Sequence, residues 1–218
     1  MDYKKIADEV SEKILSYSQD TSGWRVIKIS KNVTVSSKPS KEYAGNIYRG
    51  EGIIKEVPSK IIPFMYLPEY RNKWDKALQS YKLLERIDQD TGIYHSVTHS
   101  YGMGLISSRD FVDLLHVKPY PGDILTTNSV SVEYSSCPPT PSCVRGYNNP
   151  CGYVCSPLPE FRGASRKTTV LSCHCKDCEA YALIRLQHHR MSKQTNTTVL
   201  FYRTMRRTDL LMYTGRYY

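Results

Sequence analysis

The chain has 218 residues, of which 40% are hydrophobic and 23% charged, a composition typical of a globular protein with a sizeable core. It contains no run of the roughly 18 apolar residues that a membrane-spanning helix needs, and its charged first residues are not followed by the apolar stretch of a secretory signal. We therefore expect a cytoplasmic protein, without excluding the nucleus.

The formal net charge of +9 is unevenly distributed along the chain. Residues 1–159 carry 19 Lys and Arg against 17 Asp and Glu, whereas residues 160–218 carry 11 against 4. This asymmetry indicates two segments of different character.

The N-terminal part predicts one long helix followed by short strands. Apolar residues at helical spacing place an amphipathic helix from Tyr3 to Tyr17, ending before Gly23. Alternation and turn residues then predict three strands and a short helix that contains Pro63. These elements are Trp24–Lys28, Val33–Ser36, Ile47–Ile54 and Ile61–Tyr66.

The segment from Tyr81 to Val132 is predicted to be a run of strands. Turns rich in Gly, Pro and Asp separate its strand-forming stretches, and such short connections join antiparallel strands. The predicted strands, with two more that follow a Pro-rich link, are Tyr81–Ile87, Ile93–Tyr101, Phe111–Val117, Leu125–Val132, Cys143–Tyr147 and Gly152–Cys155. The fold class is therefore α+β, with a long curved antiparallel sheet that a C-terminal amphipathic helix would close.

Four motifs occur in an order and at a spacing that resemble the START (StAR-related lipid transfer) domain family, most closely its small single-domain subgroup. The resemblance covers about residues 1–159. The motifs are Tyr48–Gly52 (YRGEG), Lys73–Asp75 (KWD), Ser107–Leu114 (SSRDFVDL) and Val144–Gly152 (VRGYNNPCG).

The resemblance implies a helix-grip fold, in which the sheet curls around a lipid tunnel and a C-terminal helix closes it. It also implies a non-enzymatic carrier of sterols or other lipids that needs no cofactor. We expect a monomer that contacts membranes transiently and binds no nucleic acid. An enzyme is the less favoured alternative, because His95 and His99 are interpreted as ordinary strand residues and no nucleophile and base stand out.

The resemblance also assigns candidate site residues. Arg109 and Asp110 match an Arg-Asp pair of mainly structural role, and Trp74 matches a tryptophan that packs beneath the sheet. The founding sterol carriers of the family place an acidic residue and an arginine in the tunnel, where this chain has Ser96 and Leu115. Because both charges of the pair are absent, neither is left buried without a partner, which would be energetically costly. With Tyr94, these residues form the predicted lipid cavity, which is expected to offer hydroxyls rather than charges.

The resemblance ends where the basic segment begins. Residues 160–218 show no motif for the closing helix, which an altered reading frame or exon or a divergent closing segment would explain. We expect this tail to be poorly ordered and lipid transfer to be impaired. No metal site is predicted, because a single Cys-x-x-Cys pair in this tail is better explained by accidental composition than by zinc binding. The ligands of the less favoured zinc site would be Cys173, Cys175, Cys178 and His188. The alternative function is binding of nucleic acid or anionic membrane by the basic tail, without a functional tunnel.

Overall fold

The computed structural model describes residues 1–30, 33–101, 106–158 and 165–173; residue 30 and residues 165–173 are described by their backbone only. The described helices are Tyr3–Gln19 (α1), Pro58–Tyr66 (α2) and Pro68–Trp74 (α3). The described strands are Arg25–Ser30 (β1), Val33–Pro39 (β2), Asn46–Ile54 (β3), Leu78–Arg86 (β4), Thr91–Thr98 (β5), Arg109–Tyr120 (β6), Ile124–Ser131 (β7), Val144–Arg145 (β8), Cys151–Pro157 (β9) and Ser165–Cys173 (β10).

Helix α1 begins at the residue that the sequence predicts and packs on one face of the sheet. The Asp2 side chain caps it by accepting a hydrogen bond of 3.1 Å from the backbone N–H of Lys5. Its buried apolar side chains, at helical spacing, contact two adjoining clusters of the sheet. Gly152 of β9 lies beneath this helix, and a Cβ atom there would lie 3.2 Å from Cγ2 of Ile14 and 2.1 Å from the carbonyl oxygen of Thr127 in β7.

The strands form one curved antiparallel sheet in the order β1-β2-β3-β10-β9-β7-β6-β5-β4, with β8 pairing in parallel with β6. The predicted strands β1 and β2 pair with each other, and the predicted run of antiparallel strands from β4 to β7 is present. The predicted strand Cys143–Tyr147 is paired only at Val144–Arg145, and α3 was not predicted. Among the described residues, no helix is long and apolar enough to cross a membrane.

Strand β10 joins the two parts of the sheet. Its backbone pairs with β3 along its whole length, from Ser165 opposite Ile54 to Cys173 opposite Asn46, and its first part pairs with β9 on the other side. The strand lies beyond residue 159, where the sequence predicts the domain to end. The division of the chain at that residue stays a prediction, but the sheet includes residues 165–173.

A proline in β10 should therefore damage the sheet more than a proline at its edge. Val170→Pro removes a backbone donor from a strand that is paired on both sides, and we expect a loss of about 3 kcal/mol or more in the free energy of unfolding. The matched control is Val26→Pro in the edge strand β1, beside a register irregularity, where we expect a much smaller loss. Urea denaturation of the full chain measures both, and equal losses would contradict the central position of β10.

Candidate functional site

The sheet has two faces with different neighbours. On β6, Val112 and Leu114 pack with Ala7 beneath α1, and this surface is called the outer face. Because successive side chains of a strand alternate, Leu115 projects from the opposite surface, called the inner face. Strand register assigns Tyr94 to the inner face with Leu115, and contacts of both residues with one cluster agree with this assignment.

Helices α2 and α3 cover one end of the inner face. Residues of α2 and α3 form an apolar cluster with Tyr153 and Cys155 of β9. Trp74 is 8% exposed and donates a 2.7 Å hydrogen bond from its indole N–H to the carbonyl oxygen of Phe64, which ties α3 to α2. The predicted site residue Trp74 therefore lies in the covering element and positions it.

An aromatic pair lines the inner face next to these helices. The rings of Tyr81 and Tyr94 stack with centroids 5.3 Å apart, and the guanidinium of Arg71 lies 4.6 Å from the centroid of Tyr81. Burial raises the pKa of Tyr94 to about 12 and that of Tyr81 still further, so both hydroxyls stay protonated at neutral pH. The nearby charge of Asp113 also raises the pKa of Tyr81, after burial and against the opposing effect of Arg71.

The two positions of the missing charge pair both lie on the inner face. Ser96 is 1% exposed and pairs with Phe111, and Leu115 is 6% exposed and pairs with Gly92. They occupy adjacent strands and carry no charge, so at these positions the inner face is uncharged. Their role in lipid binding stays a prediction.

Asp110 lies on the outer face, away from Tyr94 and Leu115. Its carboxylate accepts two hydrogen bonds from Arg145, of 3.0 and 2.8 Å, and Nε2 of His95 lies 2.9 Å from it. Burial alone would raise the pKa of Asp110, but the hydrogen bonds from Arg145 and His95 outweigh it and hold the pKa below the ordinary value. This network supports the structural role that the resemblance implies for Asp110. It also pairs His95 with Asp110, a contact that the strand pattern of the sequence did not predict.

Arg109 stands at the start of β6, where it joins that strand to the end of β5. Its backbone N–H donates to the hydroxyl of Thr98 at 3.1 Å, and its guanidinium donates to the carbonyl oxygen of Ser107 at 2.9 Å. These contacts are local to the strand ends.

Sequence reasoning missed a charged group on the inner face. Asp113 lies two residues before Leu115 in β6 and accepts hydrogen bonds from Ser131, at 2.6 Å, and from Asn148, at 2.7 Å. Asp113 therefore adds a charged group to this face, and the expectation that the cavity offers hydroxyls rather than charges stays a prediction. The period of two that places Leu115 on the inner face is the signal that could have found it.

The candidate zinc site lies almost wholly outside the described residues. Cys173 is the last residue of β10, and the other three ligands follow it in the segment that is not described. The less favoured zinc site and the alternative function of the basic tail stay hypotheses.

The comparisons with known proteins agree with this architecture. Residues 5–207 match the family model of the START domain, so the chain belongs to the START family. The prediction of family is confirmed, and the match continues past residue 159.

Two relatives are similar in sequence over most of their length. Human StAR-related lipid transfer protein 6 is 49% identical over 160 residues, which are 73% of each chain. Human StAR-related lipid transfer protein 5 is 38% identical over 181 residues, which are 81% of this chain and 83% of that protein. A solved structure of human StAR-related lipid transfer protein 5 superposes with a TM-score of 0.71 at 37% identity and covers 78% of this chain and 80% of its own. The predicted START-like fold is confirmed.

The network around Asp110 predicts a pH-dependent loss of stability. Because the pKa of Asp110 is lowered in the folded state, its contribution is complete above the ordinary value of 3.8 and is lost as the pH falls through the folded value. Arg145→Ala removes two hydrogen bonds to this buried carboxylate, and we expect a loss of roughly 1.5–3 kcal/mol at pH 7.

Urea denaturation between pH 7 and pH 3 measures this effect. The variant should lose less stability than the original chain below the ordinary pKa of 3.8, because protonation of Asp110 then breaks fewer contacts. The control is Arg86→Ala on the exposed side of β4. It should change neither the stability at pH 7 nor the loss of stability at low pH appreciably. An Arg145→Ala variant that behaves like this control would contradict the stabilising role of the network.

Proposed function

We propose that the chain binds one lipid molecule on the inner face of its sheet and carries it through the aqueous phase without chemical change. The observation that carries the proposal is the inner face itself, where Leu115 and Tyr94 form an apolar and aromatic wall partly covered by α2 and α3. A wall of this kind would cost about 25 cal/mol per Å² if it faced water. Membership of a family whose relatives are named lipid transfer proteins supports the same proposal.

Loading would require transient contact with a membrane, and the region around the start of α2 suits that contact. Ile53, Val57 and Phe64 are 52%, 37% and 40% exposed, and Lys55 and Lys60 lie between them in the sequence. Exposed apolar side chains can enter the membrane interface, while basic side chains are attracted to anionic lipid head groups. We place this exchange in the cytosol.

We further propose that the segment after β10 weakens lipid retention. The sequence of residues 174–218 lacks the pattern of a long closing helix, so a bound lipid would be held mainly by the sheet, α2 and α3. A bound lipid should therefore dissociate faster from this chain than from human StAR-related lipid transfer protein 5. An equal or slower dissociation rate would contradict this part of the proposal.

Two adjacent leucines on opposite faces of β6 test where the lipid binds. Leu115→Ala shortens the inner wall, and we expect about a tenfold weaker affinity for cholesterol, because the lost apolar contact corresponds to roughly two methylene groups. Leu114→Ala removes the same atoms from the outer face beneath α1. Leu114→Ala should leave the affinity for cholesterol within about twofold of that of the original chain. Each of the two variants is expected to lose roughly 2–5 kcal/mol of stability.

The measurement is equilibrium binding of radiolabelled cholesterol at a temperature at which circular dichroism shows that both variants are folded. A saturable stoichiometry of one is expected for the original chain. Equal affinities of the two variants would contradict a site on the inner face. The absence of saturable binding of both cholesterol and phosphatidylcholine to the original chain would contradict the proposed function.

A further inference from the structure

The inner face contains a polar cluster of Asp113, Ser131 and Asn148 that the resemblance does not assign. The Ser131 hydroxyl donates to Oδ1 of Asp113 at 2.6 Å, and Nδ2 of Asn148 donates to Oδ2 at 2.7 Å. The backbone N–H of Asn148 donates to the Ser131 hydroxyl at 2.7 Å, and the backbone N–H of Ser131 donates to the Asn148 carbonyl at 3.0 Å. The cluster thus fixes the loop before β9 against the end of β7.

The hydrogen-bonding groups of this cluster are mostly acceptors. The hydroxyl hydrogen of Ser131 and one amide hydrogen of Asn148 are already directed at Asp113. The carboxylate keeps further lone pairs, and Asn148 keeps one amide hydrogen. A group that donates a hydrogen bond therefore finds more partners here than a group that only accepts.

Asn148 provides a second acceptor beside the carboxylate of Asp113. The residue is 4% exposed, and its amide oxygen is buried without a hydrogen-bond partner in the described part of the chain. The amide atom next to the carboxylate is the nitrogen, because only the nitrogen can donate a hydrogen bond to it. A buried acceptor left unsatisfied lowers stability, and a ligand that donates to it would remove this cost.

The cluster adjoins the apolar wall. Asp113 pairs with Tyr94 across the strands β5 and β6, and Leu115 follows it on the same face. A ligand that lies on this wall and reaches the cluster must be apolar over most of its length and polar at one end. The negative charge of Asp113 disfavours a phosphate or carboxylate at that end.

We propose that Asp113 and Asn148 anchor the head group of a neutral lipid by accepting a hydrogen bond from its hydroxyl. The inference rests on the proposed function and names the class of lipid that the inner face selects. Asp113 determines specificity by excluding a ligand that presents only an acceptor, since two acceptors facing each other leave both unpaired.

Cholesterol and cholestenone distinguish a ligand that donates a hydrogen bond from one that only accepts. They share a ring system, but cholesterol carries a hydroxyl where cholestenone carries a ketone. We expect the full chain to bind cholesterol about tenfold more tightly than cholestenone, the effect of one mismatched polar contact. Asp113→Asn keeps the shape and replaces an acceptor with a donor. It should reduce the ratio of the two affinities to about twofold or less.

Ser131→Ala is the matched control. It disturbs the same cluster and should lower stability, but it leaves the carboxylate in place, so the ratio should remain near tenfold. A merely structural role of Asp113 would change stability in both variants and the ratio in neither.

Three results would overturn the inference, and they have different meanings. Equal affinity of the original chain for both sterols, or a ratio that Asp113→Asn leaves unchanged, refutes the anchor while the proposed lipid binding stands. Failure of the original chain to bind either sterol refutes the anchor, and failure to bind phosphatidylcholine as well refutes the proposed function.

Discussion

The backbone ladder of β10 is the constraint on which the rest of the structure depends. Strands β1 to β3 come before α2 and α3 in the chain, and strands β4 to β9 come after them. They become one sheet because Ser165–Cys173 pairs with β3 on one side and β9 on the other. Backbone groups buried inside a sheet must be hydrogen-bonded, so this strand satisfies two edges at once. The inner face can be continuous only across it.

Successive side chains of β6 point to opposite faces of the sheet, so one set stabilises the fold and the other faces the proposed lipid site. Asp110, Val112 and Leu114 face outward, where they meet Arg145, His95 and helix α1. Asp113 and Leu115 face inward, toward the aromatic wall. A shift of one residue in the register would exchange these sets and would place a buried carboxylate without Arg145. The motif that carries the family resemblance therefore encodes both faces together.

Much of the fold could be predicted from periodicity. Helix α1 shows apolar residues at helical spacing, and the meander strands alternate between clear turns, so local sequence was sufficient for both. Helix α3 was missed because seven residues that contain few apolar side chains show no helical period. Strand β10 was missed because it has two neighbouring strands as partners and no family motif, and those tertiary contacts do not appear in a local pattern.

The candidate site was predicted only in part, for a similar reason. Ser96, Tyr94 and Leu115 were found through the resemblance, and the structure places them on one face. Asp113 was missed because the family resemblance assigns a role to Asp110 and none to Asp113, and the two side chains lie on opposite faces of β6. Asn148 could not be paired with Asp113 from the sequence, because 35 residues separate them and only the fold brings them together.

The most direct test of the account is to identify the residues that a bound lipid touches. A sterol with a photoactivatable diazirine in its ring system can be bound to the full chain, irradiated, and located by mass spectrometry of the peptides. We expect labels in β5 and β6 at inner-face positions such as Tyr94 and Leu115, and we expect unlabelled cholesterol to reduce them. Labels on outer-face positions such as Val112, or labels that cholesterol does not reduce, would contradict a lipid site on the inner face.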